Sequence, residues 1–376
     1  MSLGLQQVLA QHLPHYGSQH PLDARRLRVC EHIQQCRTAA LGGLQLACSH
    51  CDYDRPHYFA CRDRHCPLCQ QRASEQWADR QQQAVLPTPY YHLVFTLPSA
   101  LNGWIQLHPE VLYRTLFAAA WHTLKTFAAD PKRLGGQLGM TAMLHTWGQT
   151  LTQHVHLHCL VPGGAFTDQG SWKAAKSHYL FPVRALSRHF RGHMVSRLRA
   201  LYKANALNRL TASEVTTRLD EVMEKEWVVF SRPCERSTRQ VVNYLARYSH
   251  RTAISNHRLL SMDEERIHFR YKDYRDQDKQ KVMSLSHEEF IRRFLLHVLP
   301  KGLMRIRHFG YLANCCRKRR LPQIRRAIAE ATTAEQTQAV PENPTGVGVT
   351  SWPCPDCRVG RLYSVGEIAP KRLNAG

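Results

Sequence analysis

Alternating apolar and polar positions mark the strands of this chain. Residues 90–97 (YYHLVFTL) are rich in β-branched and aromatic side chains and stop at Pro98, which predicts a strand. Met140–Trp147 and His154–Val161 predict two more, the second closed by Pro162, Gly163 and Gly164. The short link between them predicts a hairpin. Apolar residues near i, i+3 and i+4 predict a helix from Pro109 to Asp130, with Pro109 close to its start and Tyr113, Phe117 and Trp121 in the core. Residues 183–226 and 239–250 read as helical, residues 254–260 and 266–272 as a second strand pair, and residues 288–330 as helical and basic. The order of strand, helix, strand, strand, helix and then strands predicts an α+β domain with a mainly antiparallel sheet. No internal repeat is visible, so a solenoid is not expected.

Composition adds a partner. The 376 residues suit two or three domains, and 43% of them are hydrophobic, enough for a sizeable core. Lys and Arg number 51 against 29 Asp and Glu, a net charge of +22 that favours a polyanion, nucleic acid first. From Lys301 to Glu330 there are nine Lys/Arg and one acid. No apolar run approaches the roughly 18–20 residues that span a bilayer. The first residues lack a basic and then apolar leader, so a cytoplasmic location is expected.

Cysteine spacing points to metal. Seven of the 13 cysteines lie in the first 69 residues, and in a reducing compartment such a cluster favours metal over disulfides. Cys48 with Cys51 and Cys66 with Cys69 form two Cys-x-x-Cys knuckles separated by 14 residues, which predicts that the four thiolates share one tetrahedral zinc. Cys36, Cys61, His57 and His65 are left over, for a second site, for exchange with the knuckle ligands or for structural roles. A low-apolar linker from about residue 331 leads to a third knuckle, Cys354 and Cys357. That knuckle has two readings: a place beside the N-terminal zinc unit, or half a site for a partner.

The chemistry resides in two further patterns. His154, His156 and His158 alternate on one predicted strand, so their imidazoles share a face and can chelate a cation. The bland alternative is an ordinary polar sheet face. Tyr244 and Tyr248 are four apart, one above the other on a predicted helix. Such a pair is ordinarily a core stripe, but two stacked phenols could also make two successive attacks on phosphorus. Arg247, Arg251 and Lys272 are candidates to contact phosphate, as are Arg305 and Arg307 in the basic stretch. Tyr271, Tyr274 and Phe309 are candidates to stack on bases.

Several stretches in register carry a resemblance. HVHLHCLVPGG, VVNYLARYSHRTAISNHRL, FRYKDYRD and EEFIRRFLLHVLPKGLMRIRHFGYLAN, with CRTAALGG and ACRDRHCPLCQ before them, resemble the HUH-type rolling-circle transposases of the insertion-sequence-91 kind. The likeness covers nearly all of residues 25–315, and the tail CPDC resembles the family's tail knuckle.

The resemblance implies an antiparallel HUH palm of the ferredoxin or RRM-like type, behind an N-terminal zinc-binding domain. His156 and His158 would hold Mg²⁺ or Mn²⁺, with Leu157 between them. His154, Gln149 and Gln153 are the candidates for a third ligand, His154 first. Tyr244 and Tyr248 would be the nucleophiles that take a 5′-phosphate of single-stranded DNA at the ends of a mobile element. The implied location is cytoplasmic, at the nucleoid. The expected domains are 1–85 (zinc, with Cys36, Cys48, Cys51, Cys61, Cys66 and Cys69), 86–280 (nuclease), 281–330 (basic, DNA-binding) and 331–376 (tail). Competing readings are a zinc-dependent nucleic-acid-binding protein without cleavage and a replication-initiator-type nickase.

Overall fold

The protein is described by a computed structural model over residues 3–82, 84–175, 179–234, 251–274, 276–333 and 352–371. Its described helices are α1 (Leu5–Gln19), α2 (Ala24–Gln35), α3 (Pro67–Gln82), α4 (Asn102–Leu107), α5 (Pro109–Ala129), α6 (Val183–Lys203), α7 (Ala212–Glu224), α8 (His287–Leu295) and α9 (Arg317–Thr333). The strands are β1 (Gly43–Cys48), β2 (Asp54–Tyr58), β3 (Tyr90–Thr96), β4 (Gly139–Trp147), β5 (Gln153–Pro162), β6 (Gly164–Phe166), β7 (Trp172–Ala174), β8 (Val229–Pro233), β9 (Leu259–Met262), β10 (Arg266–Asp273), β11 (Lys279–Ser286), β12 (Ile306–Gly310), β13 (Trp352–Pro353) and β14 (Arg361–Ile368). They form two compact units. One gathers the described parts of residues 1–72, 254–292 and 338–376, the other those of residues 73–253 and 293–337.

The larger unit is built on a five-stranded sheet in the order β12-β4-β5-β3-β8, antiparallel at every pairing. Strand alternation sorts its two faces. Leu93 and Phe95 of β3, Met140, Ala142 and Leu144 of β4, and Val155, Leu157, Cys159 and Val161 of β5 are buried in one apolar cluster. Leu112, Leu116, Phe117, Ala120 and Leu124 of α5, Phe190 and Leu198 of α6, and Leu219 of α7 complete that cluster. The intervening positions, His92, Thr141, His145, His156 and His158, therefore point to the opposite face. The predicted hairpin is present: β4 and β5 pair from Thr141 with Leu160 to Trp147 with Gln153, with an irregularity between His145 and Trp147.

Two helical predictions are corrected. Residues 183–226 break into α6 and α7. The stretch 288–330 is not continuous helix: β12 interrupts it and adds an edge strand to the central sheet, against β4. Basic composition disguised this strand. Phe309 stacks on Trp121 at 5.5 Å, and the Arg307 guanidinium lies 4.3 Å from the Phe117 ring centroid. Gly310, at φ 61°, ends the strand where a Cβ would lie 1.8 Å from the Leu138 carbonyl oxygen, so only glycine fits.

The other unit contains α1, α2 and a four-stranded sheet in the order β13-β14-β1-β2. The predicted strand pair at 254–272 is real, but β11 extends it to a sheet β11-β10-β9 that clusters with this unit rather than with the central sheet. Compact units therefore do not follow the linear boundaries at 85, 280 and 330. Residues 239–250, read as a helix, and 334–351, within the predicted linker, lie outside the described residues.

Leu157 is fully buried between two histidines of the opposite face. Leu157→Ala is expected to cost about 2–5 kcal/mol of stability in urea unfolding. A cost under about 1 kcal/mol would show that β5 is not packed on the helical layer as described.

Candidate active site

The imidazoles of His145, His156 and His158 converge: each offers a ring nitrogen, and these atoms all lie within 4.8 Å of one another. His156 and His158 come from β5, and His145 lies opposite His156 in the β4–β5 register. The ring of His145 stacks on Trp147 at 4.8 Å. His156 Nδ1–H donates to the His154 carbonyl oxygen at 2.8 Å, since a carbonyl can only accept, and this leaves Nε2 as a bare lone pair. That Nε2 faces His158 Nε2 at 3.1 Å. On its other side, His158 Nδ1 lies 2.8 Å from Nε2 of the buried His92 on β3.

Burial keeps His156, His158 and His92 neutral. It pushes His156 down to about 4, with the nearby His154 adding to the effect. His158 is pushed far below the ordinary histidine range by burial first, then by His145, His156, His92 and the positive Arg251. His92 falls to about 3 through burial, the Arg232 charge and His156. A neutral imidazole can ligate a cation without first losing a proton.

A divalent ion fits this donor set. Cis ligands at about 2.1 Å set two nitrogens about 3.0 Å apart, which matches the facing Nε2 pair. The histidine that the structure brings to the pair is not the expected His154. His154 is exposed and outside the convergent group, while Gln153 accepts a hydrogen bond from Gln106 at 2.8 Å. His145, which was not among the candidates, is the histidine that joins the pair. Strand pairing was the signal for it, but a five-residue connection with an irregular register hides which β4 residue meets His156.

The nucleic-acid candidates divide. Arg305 is buried, and its Nη1 donates to the Arg251 carbonyl oxygen at 2.9 Å, so it holds backbone rather than facing solvent. Arg307 and Phe309 pack against α5 as described. Arg251 is exposed, and its charge reaches His158. Lys272 and Tyr271 belong to β10, in the other unit, where Lys272 pairs with Asp278 at 2.8 Å. Tyr274 is exposed beside Lys272. Tyr244, Arg247 and Tyr248 lie outside the described residues.

The zinc pairing is also corrected. Cys36, Cys61, Cys66 and Cys69 converge, with Cys69 Sγ 3.5 Å from Cys36 Sγ and 3.6 Å from Cys61 Sγ. Cys48 and Cys51 are not with them. They face the tail, with Cys48 Sγ 3.7 Å from Cys357 Sγ and Cys51 Sγ 3.7 Å from Cys354 Sγ. Of the leftover histidines, His65 donates from Nδ1 to Asp63 at 2.8 Å, and His57 stacks near Trp352 at 6.4 Å. Neither belongs to the two cysteine groups.

Two family models match this chain: "Transposase zinc-binding domain" over residues 8–97 and "Putative transposase" over residues 139–320. A "Putative transposase y4qJ" of Sinorhizobium fredii (strain NBRC 101917 / NGR234) is 42% identical over 374 residues, covering 93% of this chain and 92% of that protein. The chain belongs to the insertion-sequence-91 family of transposases. The "Transposase for insertion sequence element IS801" of Pseudomonas savastanoi pv. phaseolicola is 31% identical over 308 residues, covering 79% of this chain and 72% of its own length. No solved structure matches. As a transposase the protein acts on DNA, and its N-terminal domain is zinc-binding. Among the described residues, no helix of this transposase is long and apolar enough to cross a membrane.

Two tests address the cluster. His92→Phe keeps a ring but removes the nitrogen beside His158, and is expected to weaken Mn²⁺ binding about 10–100-fold with the fold retained. Unchanged affinity in a titration followed by electron paramagnetic resonance would remove His92 from the site. In the wild type, Mn²⁺ affinity is expected to hold as pH falls through 6.5 and to fail toward about 4, because the proton competes for His156 only there. A midpoint at 6.5 would contradict the burial argument.

Proposed function

We propose that this transposase nicks and rejoins single-stranded DNA at the ends of a mobile element through a 5′-phosphotyrosine, in rolling-circle-type transposition. The observation that supports the reading best is the facing pair of Nε2 atoms on β5, bare on His156 and completed by His145. The five-stranded antiparallel sheet, helices on one face and imidazoles on the other, serves as an HUH palm.

His145, His156 and His158 would hold a divalent cation, which when bound would polarise the scissile phosphate. His156 is oriented by its own strand, through the bond from Nδ1 to the His154 carbonyl. His92 orients His158 by accepting from its Nδ1–H, which directs Nε2 to the shared point. Arg251 supplies a fixed positive charge beside the imidazoles, suited to a phosphate oxygen. Its backbone is clamped by Arg305. Tyr244 and Tyr248 are the nucleophiles: a phenol oxygen attacks phosphorus, the 3′-oxygen leaves as a free hydroxyl, and the 5′-phosphate stays on the tyrosine. Tyr248 precedes Arg251 by three residues, a chain span of at most about 10 Å. The cation in solution is Mg²⁺ or Mn²⁺, and a donor set of three imidazoles favours Mn²⁺.

The test is covalent capture of a single-stranded oligonucleotide from the element's end. Wild type is expected to form adduct with Mn²⁺ and less with Mg²⁺. His156→Ala with His158→Ala is expected to form none while still binding the DNA. Tyr244→Phe and Tyr248→Phe should each cost only about 1 kcal/mol of stability. At least one of them should lose adduct, and the double variant should form none. Adduct from the double variant would place the nucleophile elsewhere. Absence of adduct from wild type in either metal would leave a DNA-binding protein without cleavage.

A further inference from the structure

We infer that the tail knuckle completes a second tetrathiolate zinc site, separate from the one the N-terminal domain builds alone, and that this site fastens the two ends of the chain together. The ligands are Cys48 at the end of β1 and Cys51 just after it, and Cys354 and Cys357 just before β14. The zinc-binding match ends at residue 97, so it covers the whole of the Cys36, Cys61, Cys66 and Cys69 cluster but only half of this one.

Sulfur geometry carries the inference. A tetrahedral zinc with bonds of about 2.3 Å sets its sulfurs about 3.8 Å apart. The Cys48–Cys357 and Cys51–Cys354 separations are both 3.7 Å, and all four sulfurs lie within 4.8 Å of one another. All four cysteines are free thiols, far beyond disulfide bonding distance. Cys354 is 1% exposed and Cys48 8%. Four thiols gathered this closely have a use as thiolates around a cation, and a soft cation is the class they select.

The backbone is shaped for the same end. The amide of His50 donates to Cys48 Sγ at 3.3 Å, and that of Gly360 to Cys357 Sγ at 3.3 Å, so each knuckle turns an N–H toward a sulfur that carries charge when metallated. Arg358 adopts φ 60° to close the tail knuckle, with its amide bonded to the Cys354 carbonyl at 3.0 Å. Gly360 packs against the other knuckle so closely that a Cβ would lie 2.4 Å from Cys48 Sγ. Beyond the cysteines, β14 pairs with β1 from Gly43 with Ile368 to Cys48 with Leu362. The tail is therefore an integral strand of the N-terminal sheet, and a chain ending before residue 352 would leave Cys48 and Cys51 as half a site.

The test uses the full chain in a His156→Ala, His158→Ala background, which removes the imidazole cluster as a competing host for zinc. Purified without chelator, it is expected to carry two zinc ions per chain by elemental analysis, and Cys354→Ser with Cys357→Ser is expected to lower this to one. A second measurement does not depend on that variant folding. Iodoacetamide labelling of the native chain, mapped by mass spectrometry, should modify the exposed Cys315 at once. Cys354 and Cys357 should label at least about tenfold more slowly until a chelator is added, and then together with Cys48 and Cys51. One zinc in the unaltered tail overturns the inference. So do tail thiols that label as fast as Cys315 without chelator, or that are recovered as disulfides.

Discussion

The central constraint is the two-residue period of β5. Val155, Leu157, Cys159 and Val161 must all be buried against the helical layer, and that fixes His156 and His158 on the free face. Neither imidazole can turn away without pulling its neighbours out of the core. Burial then keeps the rings neutral, and the bond from His156 Nδ1 to the His154 carbonyl fixes which nitrogen is bare. Sheet packing thus supplies the position, protonation state and tautomer that a metal ligand needs. The pairing of β4 with β5 adds His145, and that of β3 with β5 adds His92.

A second layer of organisation is the way distant segments are joined. In one unit, the tail strand β14 lies beside β1 and the cysteine knuckles interleave across more than three hundred residues of sequence. In the other, β12 returns after the separate β9–β11 sheet to pair with β4. Arg305, immediately before β12, holds the carbonyl of Arg251, close to where the chain leaves the larger unit. Read as a DNA contact from its charge, Arg305 holds backbone instead.

Much of this was legible in the sequence. The strands at 90–97, 140–147 and 154–161, the hairpin, the long α5 and the family itself followed from periodicity and from motifs in order. What escaped was most of what depends on pairing across distance, although a place for the tail knuckle beside the N-terminal zinc unit was one of its two readings. A strand's parity shows which face a histidine occupies but not its register partner, so His145 was missed and His154 preferred. Two knuckles at zinc spacing look like one site, and the third knuckle's reach to Cys48 and Cys51 has no local signal. Basic composition made Ile306–Gly310 resemble helix, although Arg307 and Phe309 lie against α5 with their charge and ring spent on Phe117 and Trp121.

The claim on which the account rests is that three imidazoles on the free face of the sheet form one metal centre. Anomalous diffraction from crystals of the full chain grown with Mn²⁺, collected at the manganese edge, tests it most directly. A single strong peak bounded by His145, His156 and His158 Nε2 is the expected result. No peak there, or a peak that involves His154 in place of His145, would contradict the account.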